Sequence, residues 1–248
     1  MYWSAADDGG FFGNDNQPNW DFNEVKLMLP GETMYRTIAA DDVIYRDRDD
    51  PVYNFSNTPY VCVKELTDIV AELGEDIYGN YQVANVEASV GALGSTGTAA
   101  GWQIVFIYES PELPAKNITL FDGYSHIESP LGTNTNVVVD FDGFVTVPNG
   151  PVRGDVVMGA LEGDRQLLGD QLQIRNVAGN FVNLVAPQRP ANNFFNSRIT
   201  VGNGDFLDRN PASTNTLGFD AAVFELDNPG NTILNNACLL YTSPSPRD

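Results

Sequence analysis

The sequence predicts an all-β fold, a β-sandwich of jelly-roll kind, with one short helix near residues 67–73. Three observations carry this. Short apolar segments of strand length recur between Gly, Asn, Pro and Asp breakers along most of the chain. The stretch Gly101–Tyr124 reads as two strands joined at Ser110-Pro111-Glu112-Leu113-Pro114. Only Thr67–Leu73 carries helix punctuation, and no internal period points to a propeller or solenoid.

Taken in order, Met1–Ala5 reads as the end of a strand, followed by a Gly/Asp/Asn/Pro loop through Asn19. Glu24–Leu29 alternates Val25, Leu27 and Leu29 with Glu24, Lys26 and Met28, the pattern of a half-buried strand stopped by Pro30-Gly31. Met34–Ile38 is its expected hairpin partner. Asp41–Asn57 is acidic and irregular, with short extended pieces at 43–45 and 52–53. The helix is expected to start at Thr67 as N-cap and close at Gly74, with Ile69, Val70 and Leu73 on its apolar side. It is expected to plug one end of the sandwich.

Further strands are predicted at Tyr81–Val90, Trp102–Glu109, Asn117–Asp122 and Val137–Phe141. Four more are predicted at Asp155–Leu161, Gln171–Arg175, Phe195–Val201 and Phe219–Leu226. Trp102–Glu109 carries Trp102, Ile104, Phe106 and Tyr108 on one face and Gln103, Val105, Ile107 and Glu109 on the other. The middle of that strand is apolar on both sides, which predicts cover on both faces. Residues 1–237 are read as a single domain.

The 248 residues suit one large β-domain or two small ones, and 42% apolar content excludes wholesale disorder. The chain carries 33 acidic against 13 basic residues, for a net charge of −20. That balance argues against nucleic-acid partners and anionic membranes, which are held by Lys and Arg. It suits Ca²⁺ binding, a saline or extracellular medium, or simple solubility. No apolar run is long enough to span a membrane, and Met1-Tyr2-Trp3-Ser4 lacks the pattern of a signal peptide. Two cysteines and one histidine exclude a disulfide framework, a Cys-based zinc site and His-rich metal centres.

Several phrases together resemble the N-terminal β-domain of large bacterial secreted or cell-surface repeat proteins of adhesin-like type. They are Tyr2-Trp3-Ser4, 81–86 (YQVANV), 101–105 (GWQIV), 117–123 (NITLFDG), 162–165 (EGDR), 190–197 (PANNFFNS) and 215–220 (NTLGFD). The resemblance covers nearly all of 1–237. It implies an extracellular or cell-surface location and neighbouring Ig-like repeats in the same chain, and carries over no catalytic activity. In such relatives a strand usually precedes the Tyr-Trp phrase, so the N-terminus is expected to be clipped here or Met1 to be an internal methionine. Cys238–Asp248 (CLLYTSPSPRD) resembles the translated read-through of a sequencing adapter, a non-native tail that implies a natural chain cut near Ala237; a Ser/Pro linker to a further domain is the competing reading.

The candidate chemistry rests on carboxylates. In a strand, Asp140 and Asp142 would share a face about 6.5–7 Å apart, within the roughly 6.5–9.5 Å range of inverting glycosidases. The plainer reading is a solvated face with Phe141 inward, and Ca²⁺ binding is the main functional alternative. Glu162, Asp164 and Asp170 flank a Gly-rich turn and could supply oxygens to Ca²⁺; an ordinary Asp164–Arg165 loop contact is the competing reading. Asp205, Asp208 and Asn210 form a weaker cluster.

Asn192, Asn193 and Phe194 mix amides with an aromatic ring, as sugar-binding surfaces do; the plainer reading is that they are packing and turn residues, with one of Phe194 and Phe195 facing the core. His126 lacks a nucleophile motif around it, and Cys62, between Val61 and Val63, reads as buried and inert. The expectation is a non-enzymatic surface module for adhesion or display, without a cofactor other than Ca²⁺. Surface glycans or adjoining repeats are its expected partners. The alternatives are a Ca²⁺-assisted carbohydrate-binding module and a glycoside hydrolase with an acidic pair.

Overall fold

The computed structural model describes residues 1–6, 14–15, 21–52, 55, 57–90, 99–127, 136–141, 145–161 and 163–236. Its strands in the first half are β1 (Tyr2–Ala6), β2 (Asn14–Asp15), β3 (Glu24–Met28), β4 (Arg36–Ala39), β5 (Asp42–Arg46), β6 (Pro59–Val63), β7 (Gln82–Ala84), β8 (Ser89–Val90) and β9 (Ala100–Gln103). The second half holds β10 (Asp155–Ala160), β11 (Gln173–Arg175), β12 (Phe181–Asn183), β13 (Ile199–Val201), β14 (Gly204–Asp205) and β15 (Asp220–Glu225). The fold is mostly β and its sheets are largely antiparallel. Among the described residues, helix is confined to α1 (Thr67–Ala71) and two short 3-10 turns.

Three sheets supply most of the buried apolar side chains. One runs β5–β6–β1–β9, a second β4–β3–β7, and a third β10–β15–β13–β14. The first two share a core: Trp3, Ala5, Tyr60 and Cys62 from one meet Val25, Leu27 and Ile38 from the other. Period-two alternation produces this, since β3 buries Val25 and Leu27 while Glu24 stays exposed. The polar tips of the large buried rings are satisfied: Trp3 Nε1 donates to Phe22 O at 2.9 Å and the Tyr60 hydroxyl to Glu87 O at 2.5 Å.

The helix is shorter than predicted and its cap differs. Leu66 takes the N-cap position, and the Thr67 N–H is held by Glu65 Oε1 at 2.9 Å. Ile69, Val70 and Leu73 do pack against the first core.

A separate core gathers Leu184, Phe194, Ala222, Phe224 and Leu226. Strand β15 builds it by alternation, sending Asp220, Ala222 and Phe224 inward. β15 pairs antiparallel with β10 and parallel with β13.

The predicted strands at Trp102–Glu109, Asn117–Asp122 and Val137–Phe141 are largely not formed. Only Ala100–Gln103 pairs, and Phe106, Ile107 and Tyr108 are 48%, 58% and 69% exposed instead of buried on both faces. An apolar run forms a core strand only where neighbouring strands cover it, and among the described residues none pairs with 104–109, the β1–β9 ladder reaching Tyr2 opposite Gln103. Conversely, Pro59–Val63 forms a central strand that carries buried Tyr60 and Cys62, in a stretch where the sequence reading singled out only a buried Cys62.

Candidate functional site

Among the described residues, the most deeply buried ionic constellation lies where three loops converge on the start of β15. Arg189 and Asp220 are both fully buried, and Arg189 Nη1 meets Asp220 Oδ1 at 2.7 Å. A guanidinium has five N–H donors, and here each finds an acceptor. Nε donates to Thr200 Oγ1 at 3.0 Å, and the second Nη1 hydrogen goes to Phe194 O at 2.7 Å. Nη2 donates to Arg198 O at 2.7 Å and Ala221 O at 2.9 Å. A lysine could not reproduce this planar fork. The Arg189 backbone is held as well, closing a tight bridge with Ala186 through N–H···O contacts of 2.8 and 3.1 Å.

Asp220 is the matching acceptor. Its Oδ1 accepts the N–H groups of Asn196 at 3.1 Å and Arg198 at 3.2 Å, and its Oδ2 that of Ser197 at 2.9 Å. Successive N–H groups can converge on one anion when the chain turns through a left-handed residue, and Ser197 has φ +58°. The carboxylate therefore acts as an internal anion for a backbone nest. Gly163 seals the arrangement: a Cβ there would overlap Asp220 Oδ2 and crowd the Phe195 carbonyl carbon. Burying charges without compensation is costly, and this pair is compensated by the fork and the nest together.

The loop after β10 and the segment 190–197, both singled out in the sequence, interlock beside this node. Phe195 N–H donates to Asp170 Oδ1 at 2.7 Å, Gly169 N–H to Asn192 O at 2.7 Å, and Asp164 N–H to Phe195 O at 3.1 Å. Burial pushes the Asp170 carboxyl above its ordinary range, helped by the negative charge of Asp220 and opposed by the Phe194 and Phe195 backbone donors. Asp164 and Asn192 are exposed. Asn193 is buried, donating Nδ2 to Arg165 O at 3.1 Å. Phe194 is fully buried, its ring 5.7 Å edge-on from Phe224 and 5.5 Å from Phe195, so it offers no ring face to a ligand.

Asp140 lies on an exposed segment, while Asp142 and Glu162 fall outside the described residues. Asp205 is engaged by Arg198 Nη1 through both oxygens, at 2.8 and 2.7 Å. Among the described residues, no three His, Cys, Asp or Glu side chains stand together as a metal-holding group. His126 stacks on Phe55 at 3.6 Å and lies 2.8 Å from the Tyr124 hydroxyl through Nδ1, so its surroundings are aromatic. Cys62 is buried, and that burial pushes its thiol up to about 12, well away from the thiolate a nucleophile needs.

Sequence reading missed Arg189 and Asp220. A signal for Asp220 existed, because in 219–226 it falls on the same alternating face as Ala222, Phe224 and Leu226. A carboxylate on an apolar face requires a buried partner. Nothing in the local sequence identifies that partner as Arg189, 31 residues away. No protein-family model matches the chain, and comparisons with curated proteins and with solved structures return no significant match.

Proposed function

We propose that this chain is a non-enzymatic, extracellular or cell-surface module of adhesin-like type, a jelly-roll-like β-sandwich serving adhesion or display. The observation that carries the non-enzymatic part of this reading is the saturation of the Arg189–Asp220 node. All five guanidinium donors and both carboxylate oxygens are used by the fold, at zero side-chain exposure. Such a node fastens loops and keeps nothing in hand for a substrate. The net charge of −20 favours a soluble acidic surface over nucleic-acid contact. The test is a broad panel of chromogenic glycosides run beside a glycan array. Bound glycans or a silent array, each with no turnover, accord with the module; glycoside turnover lost on substitution of a carboxylate overturns it.

A second reading, a Ca²⁺-assisted carbohydrate-binding module, is favoured by the interlock of Asp170 with the segment carrying Asn192 and Phe195. Ca²⁺ would bring charge compensation to a carboxylate that burial disfavours in its ionised form. It predicts a Ca²⁺-dependent rise in Tm, reversed by EDTA and lost in Asp170→Asn. A Tm indifferent to Ca²⁺ together with a silent array removes this reading.

A further inference from the structure

The sequence contains two Asn-Gly dipeptides, Asn149-Gly150 and Asn203-Gly204, and the fold treats them oppositely. Asn-Gly is the pair most prone to intramolecular cyclisation, because glycine has no Cβ to obstruct approach of its backbone nitrogen to the asparagine side chain. We propose that Asn149 is a site of spontaneous deamidation in the folded protein and that Asn203 is protected.

The reaction needs only water. The Gly150 nitrogen attacks Asn149 Cγ, a C–N bond forms, the Cγ–Nδ2 bond breaks, and ammonia leaves with the Gly150 proton. Water then opens the succinimide at one of its two carbonyls, giving aspartate or isoaspartate. Cyclisation requires a reachable backbone N–H and an unpinned side chain. Asn149 and Gly150 are both exposed, and among the described residues neither the Gly150 N–H nor the Asn149 side chain makes a hydrogen bond. Asn203 sits instead at the tip of the two-residue hairpin joining β13 to β14. There Val201 pairs with Gly204, and the ladder continues through Phe206 N–H to Ile199 O at 2.9 Å. Gly204 is thereby held in a strand and cannot turn its nitrogen on Asn203 unless the hairpin opens.

The modification has a structural consequence. The Gly150 carbonyl is clamped by Asn231 Nδ2 at 3.0 Å and Asn236 Nδ2 at 3.1 Å, and Asn231 Oδ1 also accepts the Val152 N–H at 2.9 Å. An isoaspartyl link inserts a methylene into the backbone directly before this clamp. It thus loosens the fastening of 147–152 to the segment 228–236 and adds a negative charge.

The test is peptide mapping by mass spectrometry after the full chain is aged at mildly alkaline pH, alongside the same chain in concentrated urea. Folded, the Asn149 peptide should convert about tenfold faster or more than the Asn203 peptide, equivalent to an opening cost of about 1.4 kcal/mol at the hairpin. In urea the two should convert at similar rates. Asn149→Gln, whose cyclisation needs a larger ring, should abolish conversion at its own site and leave Asn203 unchanged. Equal rates at the two sites in the folded chain, or an Asn149 that converts only in urea, would overturn the assignment.

Discussion

Replacing Arg189 by methionine removes the guanidinium and keeps an unbranched apolar stem of similar reach. Asp220 would retain its three backbone donors and lose the cation that pairs with it. The carbonyls of Phe194, Arg198 and Ala221 would lose the donors they now accept, with no water at hand in a site of zero exposure. Breaking one side of a buried ion pair costs about 3–5 kcal/mol, a large share of the roughly 5–15 kcal/mol that holds a domain folded. With the usual dependence on denaturant, the urea midpoint should fall by about 1–2 M.

The choice of probe follows from the sequence. Residues 145–236 contain neither Trp nor Tyr, so fluorescence of Trp3 and Trp102 reports the first core. Hydrogen exchange of peptides spanning 189–226 reports the second. Both should be followed, because two cores need not unfold as one. The double variant Arg189→Met, Asp220→Leu sharpens the test. A simple buried ion pair often tolerates joint apolar replacement. Here the N–H groups of Asn196, Ser197 and Arg198 would be orphaned, so the double variant should remain destabilised. A loss below about 1 kcal/mol for Arg189→Met, the worth of one ordinary hydrogen bond, would refute the reasoning.

Gly163→Ala should destabilise the second core by about 1–3 kcal/mol or more, because its methyl must displace the Asp220 carboxylate; unchanged exchange protection over 195–198 would contradict this. Asp170→Asn should raise the urea midpoint at neutral pH. Burial raises the folded-state pKa of Asp170, so ionisation weakens the fold above that pKa and the penalty disappears as pH falls through it. The variant's advantage should therefore vanish in acid, and a destabilisation independent of pH would count against the argument. Cys62 should resist iodoacetamide until the chain is unfolded, as read by peptide mapping; rapid labelling of the native protein would show the thiol to be reachable.

Local alternation made much of the β-structure legible. Glu24–Leu29 and Phe219–Leu226 carry their inward faces openly, and β3 and β15 form there. Pro59–Val63 was harder to see, because its proline and its short run between polar neighbours hide a strand that two partners cover. The interlock of the 163–170 loop with 190–197 was half legible. Both segments stood out by composition, but their hydrogen bonds depend on loop closure across some two dozen residues.

By itself the sequence determined the β character, the acidity, the scarcity of helix and the inward faces of individual strands, because those properties reside in residue type and period. Tertiary structure decided which apolar segments are covered: 105–109 has the composition of a core strand and stays exposed because, among the described residues, no strand pairs with it. Tertiary structure also decided which charges are internal. Among the described aspartates, Asp220 alone receives a fully saturated arginine at zero exposure, through a meeting of distant loops that no local pattern encodes.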